Sequence, residues 1–453
     1  VKIQIAEGWD VVLPPEEQVG LLPNSLTLAV GNWGPDYLKV NANYSAIKSR
    51  LQRKVAVFIL DTGDGYAGNP ALDKCAWNEE GRDFTGSGAD KKDNHGHSTH
   101  CAGIVGAWDA STPLGVARMM SEAGMLKVIP YQVLSDQGSG SFAWITAGTL
   151  AMIDRAKQLQ AQGWFVVASF SLGGGSESPD MEAALKKAQD AGIYVVCANG
   201  NTGGTPVQYP GRSAYVSGIA ALQQTASGVD RAPYSSYGPQ TFQALPGSLI
   251  LSTYKGGLAS LSGTSMATPH EAGVVAILAS IYPGATAAQL KAFLAKWSAD
   301  LGATGKDDFY GYGAPVIIPY LTNTPDGIAP PPPPPDTSQR EKRTLTFALA
   351  NYSTIYREYS KAENRKLYFD LDVSCETTAL DEAIADKVKT ATGDYFSRVG
   401  FVLPDKSGYN DAAFWVRHFY EMQMKSLYGL TVLVEEIRFT DQEGRKGVIN
   451  KTA

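Results

Sequence analysis

The stretch SGTSMATPHEAG, Ser262 to Gly273, holds a serine at the start of an apolar run that a proline interrupts early. The residues that follow, Ala272 through Ala279, are apolar on nearly every side, which predicts a buried helix. Proline is tolerated only near the beginning of a helix, so Pro269 puts the start close to Gly263 to Ser265. Ser265 then sits at the positive end of the helix dipole, among amides that have no intrahelical partner. A hydroxyl in that place becomes a nucleophile when a neighbouring base takes its proton, and the free amides can hold a developing oxyanion. The same residue would also serve as a plain helix N-cap. A base is available: three of the five histidines, His95, His97 and His100, fall in DNHGHSTHCAG, Asp93 to Gly103. No cysteine or carboxylate recurs at a regular interval beside them, which disfavours a metal-ligand reading. The carboxylate that would orient an imidazole is offered by Asp61, at the end of KVAVFILDTGDG, Lys54 to Gly65.

These groups lie far apart in the chain, so a scaffold must gather them. The apolar run before Asp61 is continuous, which fits a parallel strand covered on both faces. In open parallel sheets chemistry collects at the carboxyl ends of the strands, where Asp61 would stand. WITAGTLAMIDRAKQLQAQGW, Trp144 to Trp164, has helical spacing and ends near Gly163, and FVVASFSLGG follows as a strand. MEAALKKAQDAG and IYVVCANGN repeat the helix-then-strand order. Such alternation specifies an α/β fold, a parallel sheet with helices on both faces.

Four stretches in the order Asp, His, Ser carry a resemblance to the subtilisin-like serine peptidases, running from about Asn32 to Tyr320. ILDTGDG resembles the family's aspartate motif and GHSTHCAG its histidine motif. SLGGG with CANGNTGG resembles its substrate and oxyanion segments, and SGTSMATPHEAG its serine motif. The resemblance implies a three-layer, mostly parallel catalytic domain and peptide-bond hydrolysis through an acyl-enzyme. It implies Ser265 as nucleophile, Asp61 as the orienting carboxylate and Asn201 as an oxyanion donor beside the Ser265 amide. It implies His97 as general base, because counting back from CAG puts His97, not His95, in the family's frame. Gly138, Ser139 and Gly140, and Ser171, Leu172, Gly173 and Gly174, resemble two segments that pair with substrate as edge strands. Phe142 and Ile145 would line an apolar subsite, or else pack in the core. No acidic residue stands beside SLGG or ANGNTGG, so broad or apolar-leaning cleavage is expected rather than a preference for basic side chains.

Three positions depart from the family pattern: Ser98 stands where glycine is usual, Asn199 where a small apolar residue is usual, and Glu271 on the buried helix. A carboxylate at Glu271 must be paired, protonated or facing solvent. Cys101 resembles the free cysteine of the proteinase K branch, and a disulfide from Cys101 to Cys75 stays open. No cofactor is required for this chemistry. Structural calcium is an expectation for acidic loops such as GRDFTGSGADKKD, Gly81 to Asp93, though the ligand spacing is not diagnostic.

Composition sets the remaining bounds. The chain has 453 residues, 44% hydrophobic and 19% charged, with net charge -6 and no long basic cluster. Nucleic acid and anionic membranes therefore have no electrostatic support as partners; polypeptide substrates are what the family resemblance implies. No run approaches the roughly 18 apolar residues of a membrane span, and no export signal is evident in the first 20 residues. Residues 1–31 read as an extended arm lying on a catalytic domain of residues 32–322. Residues 323–343 form a linker with six consecutive prolines, a polyproline spacer of about 19 Å. Beyond it, residues 344–453 read as a small α+β domain. Strands are expected at TLTFALA, KLYFDLDV and LTVLVEEIRFT, with helices near Leu380 to Val388 and Ala412 to Leu427. That domain carries no chemical motif; binding of a protein partner or a larger assembly is its default role, and a folded appendage without one is the equal alternative. An extracellular or secreted location, with attachment to a cell surface or viral particle, is the corresponding expectation. The competing function is a subtilisin-fold binding protein with a weakened site; intact Asp61, His97, Asn201 and Ser265 favour the peptidase.

Overall fold

The structure, a computed structural model, describes residues 32–66, 68–86, 92–109 and 113–328. It also describes the backbone of strand β1 (Val11–Val12) and of five strands between residues 341 and 450. The chain divides into two compact units, residues 1–333 and 334–453, and the boundary falls inside the proline run.

The first unit is built on an eight-stranded sheet. Its strands are β2 (Val55–Asp61), β3 (Arg82–Asp83), β4 (Leu126–Gln132), β6 (Phe165–Phe170), β7 (Tyr194–Ala198), β8 (Ser217–Thr225), β9 (Gly228–Arg231) and β10 (Thr241–Pro246). The short β5 (Ser139–Gly140) lies outside it. The order is β10-β8-β7-β6-β2-β4-β3, parallel throughout, with β9 joined antiparallel to β8. An antiparallel pair, β11 (Ile250–Tyr254) and β12 (Gly257–Leu261), precedes the serine helix.

Strand β2 shows how the sequence sets the layers. All seven of its residues are buried, as the unbroken apolar run predicts. Alternate side chains go to opposite faces, so Val55, Val57 and Ile59 join one core cluster and Ala56, Phe58 and Leu60 the other. The first cluster packs beneath α3 (His97–Gly106) and α7 (Thr264–Ile281); the second packs beneath α5 (Phe142–Ala161) and α6 (Pro179–Asp190). The result is three layers, a sheet between two helical faces. Smaller helices complete the unit: α1 (Trp33–Tyr37), α2 (Tyr44–Lys48), α4 (Arg118–Glu122), α8 (Ala287–Trp297) and α9 (Ile318–Thr322). No described helix is long and apolar enough to cross a membrane.

Helix α7 is buried along its whole length, as its sequence implies, and begins one residue before Ser265. Helix α8 owes its start to a capping box in which the Thr286 hydroxyl accepts from Gln289 N–H.

The second unit contains a five-stranded antiparallel sheet: β13 (Glu341–Ala348), β14 (Thr354–Arg357), β15 (Asn364–Thr377), β16 (Thr431–Asp441) and β17 (Lys446–Asn450). Three of these strands are those the alternating segments predict; β14 and β17 are additional. The two helices expected near Leu380 to Val388 and Ala412 to Leu427 lie outside the described residues.

Candidate active site

Asp61 ends β2 and His97 opens α3. The imidazole Nδ1 lies 2.7 Å from Asp61 Oδ1, with both side chains wholly buried. The neighbouring His95 ring meets His97 edge-on with centroids 6.1 Å apart, and His100 turns its Nε2 to the Ala259 carbonyl at 3.1 Å. Of the three histidines, His97 is thus the one joined to Asp61.

A hub built on Asp93 holds this pair in place. One Asp93 oxygen accepts from Gly96 N–H at 2.6 Å and from the Thr62 hydroxyl at 2.7 Å. The other accepts from Thr99 N–H at 2.8 Å and the Thr99 hydroxyl at 2.6 Å. Thr62 follows Asp61 and also receives Ser98 N–H at 3.1 Å, so the end of β2 and the first turn of α3 are tied through one carboxylate. The negative charge at a helix N-terminus adds to the stabilisation. Asp93 belongs to the loop proposed from sequence as a calcium candidate, but here its oxygens serve the helix start. Asp83 of the same loop accepts from Thr85, and residues 87–91 lie outside the described residues. Ser98, the first departure from the family pattern, fits because its hydroxyl lies 3.2 Å from the Tyr66 hydroxyl.

Ser265 is the second residue of α7, so its N–H is among those that helix geometry leaves without an intrahelical partner. Pro269, four residues on, has no N–H to give the Ser265 carbonyl. That carbonyl instead accepts from the Ser171 hydroxyl at 2.8 Å and from the Cys101 thiol at 3.5 Å. The proline therefore does more than mark the helix start. It frees the acceptor that ties the serine's backbone to the substrate segment and to the histidine helix. The Ser265 hydroxyl donates to the Ser171 carbonyl at 3.2 Å.

Asn201 stands in the loop after β7. Its Oδ1 accepts from Thr264 N–H at 2.9 Å and from the Thr264 hydroxyl at 2.9 Å. A backbone N–H needs an acceptor, so these bonds fix the amide with Nδ2 as the outward donor. A Cβ placed on Gly263 would come within 3.3 Å of that Nδ2 and 3.7 Å of Ser265 Cβ, so glycine keeps the space between donor and nucleophile open. The Thr264 hydroxyl also accepts from Gly200 N–H at 3.1 Å. Sequence reading missed Thr264 as the residue that orients Asn201; the only signal was its place beside the serine.

The substrate segments are partly modified by the structure. Gly138 has φ +71 and leads into β5, Ser139–Gly140, which pairs antiparallel with Val11–Val12 of the amino-terminal segment. An edge read as a substrate ladder is therefore occupied by the chain itself. Gly174 gives its N–H to the Tyr209 carbonyl at 2.7 Å and receives Tyr209 N–H at 2.9 Å, so its backbone is not open to a substrate strand. The candidate segment narrows to Ser171, Leu172 and Gly173. Ile145 is wholly buried in the core cluster under α5, which corrects its reading as a subsite wall. Phe142, 5% exposed, packs edge-to-face on Tyr209 with centroids 5.3 Å apart.

The two other departures from the family pattern also find partners. The Asn199 amide donates to the Thr241 hydroxyl at 3.0 Å. Glu271 accepts from the Tyr194 hydroxyl at 2.9 Å, and burial pushes its carboxyl up to about 8, so it is held neutral. Cys75, Cys101 and Cys197 are buried thiols outside any disulfide, so no bridge joins Cys75 to Cys101. Among the described residues, the one group of side chains whose ligand atoms gather as a metal would need is Asp61, His97 and Cys101. That group is the Asp–His pair itself with the thiol one turn below.

The subtilase family matches residues 47–313. The chain is 35% identical over 282 residues to the thermostable alkaline protease of Halalkalibacterium halodurans, covering 62% of this chain and 71% of that protein. It is 36% identical over 226 residues to thermitase of Thermoactinomyces vulgaris, covering 50% and 75%. It is 34% identical over 260 residues to subtilisin Savinase of Lederbergia lenta, covering 57% and 87%. Among solved structures, sphericase superposes with a TM-score of 0.53 at 29% identity, over 58% of this chain and 91% of that one.

Proposed function

From the premise that this chain belongs to the subtilase family and is a serine endopeptidase, we propose that it cleaves peptide bonds through Ser265, His97 and Asp61, with Asn201 stabilising the oxyanion. The observation that carries the reading is the buried 2.7 Å pairing of His97 Nδ1 with Asp61. An imidazole that donates Nδ1–H to a carboxylate keeps Nε2 as the basic nitrogen, and the carboxylate stabilises the imidazolium formed when a proton arrives.

In the reaction Ser265 Oγ gives up its hydrogen bond to the Ser171 carbonyl and presents its hydrogen to His97. Its proton passes to His97 Nε2 as Oγ attacks the substrate carbonyl carbon. The carbonyl π electrons move to oxygen, and that oxyanion takes hydrogen bonds from Asn201 Nδ2 and the Ser265 N–H. His97 returns the proton to the leaving amine nitrogen as the C–N bond breaks, which leaves the acyl group on Oγ. Water then repeats the sequence: it gives a proton to His97, attacks the acyl carbon, and Ser265 recovers its hydrogen as the acid departs.

Specificity is proposed as broad or apolar-leaning, with substrate backbone held along Ser171 to Gly173 and along the β5 edge once Val11–Val12 vacates it. An apolar subsite at Phe142 belongs to the same proposal, and it would need that side chain, packed on Tyr209, to present its edge to substrate. No metal or cofactor enters the chemistry, and structural calcium remains a proposal. An extracellular place of action, and binding of a protein partner by the second unit, are proposals of the same kind.

The test is the cleavage-site profile of a peptide library treated with the wild-type chain and with Ser265→Ala. Cleavage after many residues, enriched for apolar side chains and absent in the variant, is the expected result. Cleavage confined to bonds after Lys or Arg would overturn the specificity, and unchanged cleavage by Ser265→Ala would overturn the chemistry.

A further inference from the structure

At the amino ends of β7, β8 and β10, the sheet edge opposite the Asp61–His97 pair, α6 and α8 leave a cleft of about 790 Å³. That volume lies in the range of sites for drug-sized ligands. Tyr215, Phe242 and Tyr312 supply aromatic wall, and Lys291 of α8 enters from one side.

Lys291 is the informative residue. It is partly buried, its ammonium donates to the Val216 carbonyl at 2.6 Å, and it stands 5.2 Å from the centre of the Phe242 ring. Among the described residues, no carboxylate is in ion-pair contact with it. Asp190, the one acidic side chain lining the cleft, is taken by Lys186 at 2.6 Å on the neighbouring turn. The Glu271 carboxyl favours the charged form of Lys291, but burial raises that acid to about 8, so near neutral pH it is mostly uncharged and supplies little counter-charge. Desolvation correspondingly lowers the Lys291 ammonium from its ordinary value. A second ammonium, Lys306, reaches the rim, where it donates to the Pro239 carbonyl at 2.6 Å. A cation drawn out of water with a neutral carbonyl and a ring as partners is stabilised by any anion that reaches it, and aromatic walls select an anion with an apolar body.

We propose that this cleft binds a monocarboxylate with an apolar body, its carboxylate held by Lys291 and its body laid against Tyr215, Phe242 and Tyr312. The shared chemistry has two sources, a free fatty acid and the carboxyl end of a short peptide with an apolar last residue. The assignment does not depend on the peptidase chemistry.

Isothermal titration of the full chain, carrying Ser265→Ala to prevent self-digestion, tests it with two matched pairs of probes. Decanoate is compared with decanol, and acetyl-Ala-Ala-Phe acid with its carboxyl-terminal amide. At least one carboxylate is expected to bind one to one, about tenfold or more tighter than its neutral counterpart. Whichever pair responds identifies the source. Lys291→Met should remove that preference for the acid while leaving the neutral probe's binding as it was. Ala292, exposed on α8 and facing the cleft, gives a second variant independent of the lysine: Ala292→Trp should abolish binding of both members of the pair. Absence of saturable binding by either carboxylate overturns the proposal. So does equal binding of acid and neutral probe, or undiminished acid binding by Lys291→Met or Ala292→Trp.

Discussion

Replacing Asn201 by aspartate separates two roles that the structure gives to one side chain. Oδ1 receives Thr264 N–H and the Thr264 hydroxyl, both at 2.9 Å, and Nδ2 is left to donate toward the space beside Ser265. Asn201→Asp keeps an oxygen for both Thr264 donors, so stability should stay within about 0.5 kcal/mol of wild type. It replaces the outward donor by a carboxylate oxygen, which cannot hold an oxyanion. Loss of one such donor costs about 2.7–4 kcal/mol of transition-state stabilisation, a range that itself comes from a subtilisin, so kcat should fall by about 10²–10³ or more. Asn201→Leu should lose kcat to a similar degree and also stability. It leaves two Thr264 donors without their acceptor in a half-buried site, at about 1 kcal/mol each. Steady-state kinetics on a chromogenic peptide, with thermal unfolding of each variant, reads both quantities. KM should change little, because the oxyanion exists only after the ground state. A kcat for Asn201→Asp within tenfold of wild type, or a loss confined to KM, would refute the reasoning.

Other consequences follow from particular contacts. Glu271 ionises near 4.3 in an unfolded chain but only near 8 when buried, so between those values the native state holds one more proton than the unfolded state. Stability therefore falls as pH rises through that window, by on the order of 3–4 kcal/mol at pH 7. Calorimetry should show the melting temperature of Glu271→Gln gaining on wild type from pH 5 to pH 8, and a pH-independent difference would count against the buried neutral acid. Ser171→Ala removes the hydroxyl that holds the Ser265 carbonyl at 2.8 Å, and kcat should drop by about two- to tenfold with KM nearly constant. An unchanged kcat would mean the tie does not position the nucleophile. Prolines at both Val11 and Val12 would break the ladder with Gly140 and Ser139, and KM for a long peptide should fall by about two- to tenfold at constant kcat. A KM that did not move would show that the arm and the substrate do not compete for that edge.

The parts of the site that were legible in the sequence are those coded locally. Asp61 ends an unbroken apolar strand, Ser265 begins a helix marked by Pro269, and the helix-then-strand alternation of residues 144–201 sets the parallel sheet. What escaped is what depends on partners distant in the chain. Thr264 orients Asn201 across 63 residues, and Tyr194 pairs with Glu271 across 77. Asp93 looked like a loop carboxylate open to a metal because nothing in its own stretch shows that Thr62, 31 residues away, would claim it. Gly174 looked like free edge because its partner Tyr209 lies beyond the next helix and strand. Ile145 was ambiguous for a different reason: an apolar residue on the first turn of a helix suits a subsite wall and a core equally, and only packing decides.

Everything turns on Ser265 being the group that attacks. Fluorophosphonate labelling of the folded chain, with the adduct located by mass spectrometry of its peptides, addresses this directly. One adduct on Ser265 is predicted, absent from Ser265→Ala and slowed by orders of magnitude in His97→Ala. A folded wild-type chain that takes no label, or an adduct on another residue that persists in Ser265→Ala, would contradict the account.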